Sequence, residues 1–258
     1  MADPVDAAGA SGLHSEPEAG ANGPTANGAP FTAGTPRAPG LPAWRRRTDG
    51  EHRWPSVVAI AAAIVLQLML PDRLLLHPRW LLPGVEIALL LALILANPVR
   101  LVRRHALLRL GALGLVLAMT VANAGSAALL IDRLLTGQAG GDALSLIGSG
   151  AAIYSTNIIA FAVWYWELDR GGPFARAAGD RQHTDFLFPP MTAPDVAAPD
   201  WEPAFLDYLY LSYTNAAAFS PTDTLPLTRW AKMLMLVQSA ISLSTIALVI
   251  ARAVNVLQ

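Results

Sequence analysis

The sequence predicts an all-α membrane protein: a bundle of five transmembrane helices plus one short re-entrant or half-spanning helix, preceded by a disordered tail. Three observations predict it. Of the 258 residues, 53% are hydrophobic and only 14% charged, whereas a soluble domain carries about 25% charged residues. Apolar runs recur at the length a bilayer demands, roughly 20 residues for a hydrocarbon core of about 30 Å. The arginines gather in alternate connections between those runs, which is the pattern that orients membrane helices.

Residues 1–53 form the expected tail. It is rich in Ala, Gly and Pro, Leu13, Phe31 and Leu41 are almost its only large apolar side chains before Trp44, and it ends in a basic cluster of Arg45, Arg46, Arg47 and Arg53. Such a stretch cannot bury enough surface to offset its conformational entropy. It has no basic start and no apolar core of signal-peptide type. Residues 54–168 are the expected four-helix region. Its spans are 55–70, 81–97 with Pro83 in the first turn, 106–131 and 143–168. Small residues recur every fourth position at Ala118, Ala122 and Ser126, and again at Gly148, Ala152, Thr156 and Ala160, which predicts close packing of the third and fourth spans.

Arginine counting sets the orientation. The tail and the connection bearing Arg100, Arg103 and Arg104 are basic, and the intervening loops hold only Arg73 and Arg79, then Arg133. The N-terminus is therefore expected in the cytoplasm of a bacterial cell, with the protein in its inner membrane. Residues 169–203 become a cytoplasmic loop, on which Phe186 and Phe188 either tuck against the bundle or belong to a mobile plug.

Residues 204–258 follow. The stretch 204–219 has helical character but is a poor span, because Asp207, Ser212, Thr214 and Asn215 offset its few large apolar groups. Pro221 and Pro226 then break the chain before a last span at 230–251. The reading is a half-helix and a turn returning to the same side, which membranes tolerate where protein or water shields the backbone. The alternative is a sixth span.

The short helix, a turn with Thr222-x-Thr224 around Asp223, Pro226 and the basic-flanked last helix resemble the pore module of tetrameric potassium channels. The family's Thr-Val-Gly-Tyr-Gly filter is replaced by Ala218, Phe219, Ser220, Pro221 and Thr222. Loss of both glycines and the fixed φ of Pro221 remove the ring of inward carbonyls that selects potassium. The family's pore helix enters from outside, whereas arginine counting places this turn on the cytoplasmic side. Over residues 55–257 the chain resembles a family of bacterial multi-pass inner-membrane proteins, on Phe205, Leu206, Tyr208, Leu209, Tyr210, Ser212, Tyr213 and Thr214 before the final helix. That resemblance implies fold and location, with no reaction attached.

Candidate functional residues come from polarity at membrane depth. In the pore-like turn they are Asp207, Thr214, Asn215, Ser220, Thr222 and Asp223. They line a vestibule, or satisfy and cap the neighbouring backbone. Within the spans, Glu86 pairs with Arg73 or Arg79 or has an ion or proton role, and Asn123 and Asn157 are interhelical hydrogen-bond partners. Glu167 and Asp169 are read as solvated or paired with Arg170 or Arg176, and Arg170-Gly171-Gly172 as a turn ending a helix. No zinc-protease, nucleophile-elbow or phosphate-loop motif occurs, and His14, His52, His77, His105 and His183 are scattered. No catalytic residue, metal or cofactor is expected. The expected partners are the lipid bilayer and further copies of the chain, not nucleic acid, given a net charge of -1. The functional expectation is a membrane protein with a degenerate channel-like module, a non-selective or weakly selective ion channel, or a non-conducting scaffold or sensor.

Overall fold

The computed structural model describes residues 42–96, 106–137, 143–179, 183–217 and 223–257. Three helical stretches are long and apolar enough to cross a membrane: Ala106–Leu135 (α3), Leu144–Ala178 and Arg229–Val254. The second takes in Ala143–Leu168 (α4), a 3-10 turn at Asp169–Gly171 and the short helix Pro173–Ala178 (α5). Two shorter apolar helices come first, Trp54–Leu68 (α1) and Leu81–Ala96 (α2). Pro189–Thr192 (α6), Phe205–Ala217 (α7) and Arg229–Leu257 (α8) complete the helices.

Local sequence explains the boundaries. Pro55 sits in the first turn of α1, where its missing N–H is no loss. The end of α4 is abrupt, because Arg170 (φ 52°), Gly171 (φ 84°) and Gly172 (φ 96°) turn the chain left-handed. Only glycine fits at 172, since a Cβ there would lie 2.9 Å from the Glu167 carbonyl oxygen. Pro173 then opens α5, and Gly179 (φ 68°) closes it as a left-handed cap.

The fourth helix is the hub. It packs against α1, α3, α7 and α8, and Phe161, Ala162, Val163 and Tyr165 are almost fully enclosed. At the end where α1 begins, called here the proximal end, Arg53 donates to the Leu93 carbonyl of α2 over 2.6 Å. A second apolar cluster closes the distal end, with Leu70 and Leu74 against Leu130, Leu134 and Leu146. The predicted packing of α3 on α4 is present. Gly148 takes no part in it, having nothing within 4 Å of its Cβ position; the close approach is at Gly150, whose Cβ would meet Val249 of α8 at 2.7 Å.

Residues 42–53, assigned to the tail by composition, lie on the bundle, with the Thr48 N–H bonded to the Ala177 carbonyl at 2.9 Å. Residues 1–41 and the arginine connection 97–105 fall outside the described residues. The segment after α4 also packs closely. Phe186–Leu187 (β1) pairs antiparallel with Leu225–Pro226 (β2), register Phe186 to Pro226. Phe186 and Phe188 are buried among Tyr165, Tyr208, Trp201 and Trp230.

Both α7 and α8 begin at the proximal end. Tyr208, in the first turn of α7, bonds Asp169 at the end of α4, and Leu227 and Trp230 at the start of α8 bond Asp185. Further along, Ser212 reaches Ile158 of α4, and Val249 of α8 reaches Gly150.

Candidate functional site

Two polar layers join α4, α7 and α8. The first is a clasp at the proximal end. Asp169 is fully buried, and its carboxylate accepts from the Tyr208 hydroxyl (2.6 Å), the Arg170 Nε (3.3 Å) and the Asp185 N–H (3.0 Å). Asp185 in turn accepts from the Arg170 N–H at 2.8 Å and the Trp230 indole at 3.0 Å. The Arg170 guanidinium reaches the Trp44 carbonyl over 2.6 Å. Asp169 and Arg170 thus tie four stretches of chain that are far apart in sequence.

Beside them stands Arg176, which donates to the Trp166 and Asp169 carbonyls at 2.6 and 3.1 Å and to Glu51 at 3.2 Å. The Tyr208 ring lies 5.0 Å from its guanidinium carbon, a cation–π contact. Glu51 also accepts from the Trp166 indole and, at 2.9 Å, from the Phe205 N–H at the head of α7. Burial pushes the Glu51 carboxyl above its usual range, against the opposing pull of Arg176 and of the Trp166 and Phe205 donors. Glu167 is buried next to this group, in the field of Arg176, Arg109 and Arg53.

The second layer lies deeper. Gln238 of α8 is fully buried; its amide nitrogen donates to the Ser212 carbonyl (2.9 Å) and hydroxyl (2.7 Å), and its oxygen accepts from Tyr165 (2.5 Å) and Asn215 (2.8 Å). Asn215 also donates to the Met235 carbonyl at 3.0 Å. Asn157 donates to Ser242 at 2.9 Å, and Ser212 to the Ile158 carbonyl at 2.6 Å. One amide therefore gathers side chains from three helices, and the network carries no formal charge.

The sequence-derived residues divide accordingly. Asn157 and Asn215 stand in the deep layer. Asp207 caps α7: its carboxylate accepts from the Ala204 N–H at 2.8 Å, the N3-to-N-cap half of a capping box. The Thr214 hydroxyl turns back on its own helix, to the Tyr210 and Leu211 carbonyls at 3.0 Å. Asp223 is exposed at the proximal end, and Ser220 and Thr222 lie outside the described residues. Asn123 is buried in α3. Glu86 is fully buried, and the pairing with Arg73 or Arg79 is absent: Arg79 pairs with Asp72, and Arg73 is exposed. Of the two readings for Glu167 and Asp169 the solvated one does not hold, because both are buried, and Asp169 is instead paired with Arg170 at 3.3 Å.

Sequence reasoning missed Gln238, Tyr165, Asp185 and Glu51. A signal existed for Gln238, the single carboxamide in the span 230–251. None existed for Glu51, whose partners lie 115 and more residues away.

The fold and these layers define a helical protein with three membrane-length apolar helices and an internally bonded polar seam. The chain matches no family model, no curated protein and no solved structure.

Proposed function

We propose that the chain is a multi-pass protein of the bacterial inner membrane, with a cytoplasmic N-terminus, five spans, and a pore-like re-entrant module made of α7, the turn after it and α8. The observation that carries this reading is that α7 and α8 both start at the proximal end, held there by Asp169 and Asp185. At 13 residues α7 reaches only about 20 Å against a hydrocarbon core of about 30 Å and, unlike the short apolar helices α1 and α2, it carries Asp207, Ser212, Thr214 and Asn215. Entry and return on one side account for both facts. A single half-helix encloses no pore, so conduction requires a homo-oligomer, with Asp223 at its mouth and weak or absent ion selectivity.

The test is ion flux in proteoliposomes together with oligomeric state in mild detergent. Flux from an oligomer that falls in D223A supports the channel. A strict monomer without flux rejects it.

A second reading, a non-conducting scaffold or sensor, is favoured by the direction of Ser212 and Asn215. Both bond inward to α4 and α8, which is what a rigid strut requires and a vestibule does not. On that reading the proximal face, with the 183–204 segment, binds cytoplasmic partners.

A further inference from the structure

Glu86 stands apart from both polar layers. It is fully enclosed, and neither of its carboxyl oxygens has a hydrogen-bond partner. The side chain acting on it is Gln67, near the distal end of α1; this amide is buried as well, and its nitrogen is unpartnered. Two buried polar groups with unpartnered atoms therefore lie beside each other on the neighbouring helices α1 and α2.

Among the described residues no counter-charge serves Glu86. The α1 segment Trp54–Leu68 contains no charged residue, and α2 contains only Glu86 itself. On α3 the charges sit near the two ends: Arg109 at the proximal end, in the field of Glu167, and Asp132 and Arg133 in the last turns. Arg133 donates to the Arg73 carbonyl at 3.2 Å, and Arg79 is paired with Asp72. A carboxylate taken out of water without a partner neutralises itself by taking up a proton. Once protonated it has an O–H donor and a carbonyl acceptor, which match the carbonyl and NH₂ of a carboxamide. One such pair satisfies both orphaned groups at once.

We propose that Glu86, with Gln67 as its hydrogen-bond partner, is a proton-binding site between α1 and α2, filled from the distal end. That end is about 8 Å away, five residues along the helix at 1.5 Å each. The ligand is a proton and not a metal ion, since one carboxyl and one amide fall short of the six to eight oxygens a hard cation such as calcium gathers, roughly. The site is independent of whether the α7–α8 module conducts.

Infrared difference spectroscopy of the full chain in lipid nanodiscs, wild type minus E86Q, tests this; the Gln variant keeps the shape and the amide-like bonding. At neutral pH the expected spectrum contains the C=O stretch of a protonated carboxyl that shifts in D₂O and fades as pH is raised. In Q67L the band is expected to persist at the higher frequency of a less hydrogen-bonded acid. Carboxylate bands alone at neutral pH overturn the proposal. So does an acid band that neither exchanges nor titrates, which marks a sealed neutral residue. An acid band unmoved by Q67L overturns the pairing with Gln67.

Discussion

The Tyr208 hydroxyl donates a 2.6 Å hydrogen bond to the buried Asp169 carboxylate, fastening the head of α7 to the end of α4. Asp169 simultaneously holds Arg170 and the Asp185 backbone, so this bond is one strand of a knot that sets where α7 enters the bundle.

Tyr208→Phe removes that one strand and leaves Asp169 its other donors. A hydrogen bond to a charged group contributes about 1.5–3 kcal/mol, and Y208F should destabilise by that amount. Asp169→Ala strands Arg170 and Tyr208 together, and should cost about 3–5 kcal/mol. Thermal unfolding in detergent checks the order; equal effects would show that Tyr208, not Asp169, organises the clasp.

Gln238→Leu in the deep layer removes the acceptor of Tyr165, both bonds to Ser212 and one bond of Asn215, while the Ser212 hydroxyl keeps the Ile158 carbonyl. Interhelical hydrogen bonds in membranes average about 0.6 kcal/mol and reach about 1.7, so the summed loss should be about 1–3 kcal/mol. Thr245→Val is the matched control, because the Thr245 hydroxyl is buried in the same helix without a partner. It should be neutral or slightly stabilising. A larger loss in T245V than in Q238L contradicts the role given to the amide.

Gly172→Ala places a Cβ at φ 96°, 2.9 Å from the Glu167 carbonyl oxygen. Both the backbone strain and the contact oppose it, and a loss above about 1 kcal/mol is expected. Gly84→Ala meets nothing within 4 Å and should be tolerated. Folded yield and melting temperature of the two variants separate the cases.

The Glu51 carboxyl supplies a pH dependence with a definite sign. Its folded-state pKa lies above the ordinary 4.5, chiefly through burial. A raised carboxyl contributes stability that is full below the unfolded value and is lost as pH climbs through the folded one. The melting temperature of wild type minus that of E51Q should therefore decline as pH rises past 4.5 and then level off. A difference that grows with pH would mean that the Arg176 pair outweighs burial.

How far the sequence disclosed all this follows from the range of the interactions. Apolar run length marks helices, and α3, α4 and α8 were legible for that reason. The deficiency of 204–219 as a span was legible too, since Asp207 and Asn215 are costly at depth wherever they point. Their direction was not, because Ser212 and Asn215 turn inward only when Gln238 of a later helix is there to receive them. Arg170-Gly171-Gly172 was readable as a helix stop from glycine alone. That the stop buries Asp169 and Arg170 depends on Tyr208, Asp185 and Trp44, which no local pattern joins to them.

The central claim is that α7 enters and leaves on one side, so that α8 starts at the proximal end and finishes at the opposite face. The chain has no cysteine, so single cysteines at Asp223 and Asn255 can be probed with a membrane-impermeant thiol reagent from either side of inner-membrane vesicles. The account predicts labelling of Asp223→Cys from the cytoplasmic face and of Asn255→Cys from the opposite face. Labelling of Asp223→Cys from the periplasmic face and Asn255→Cys from the cytoplasmic face would mean that α7 crosses the membrane as a sixth span, and the account would be wrong.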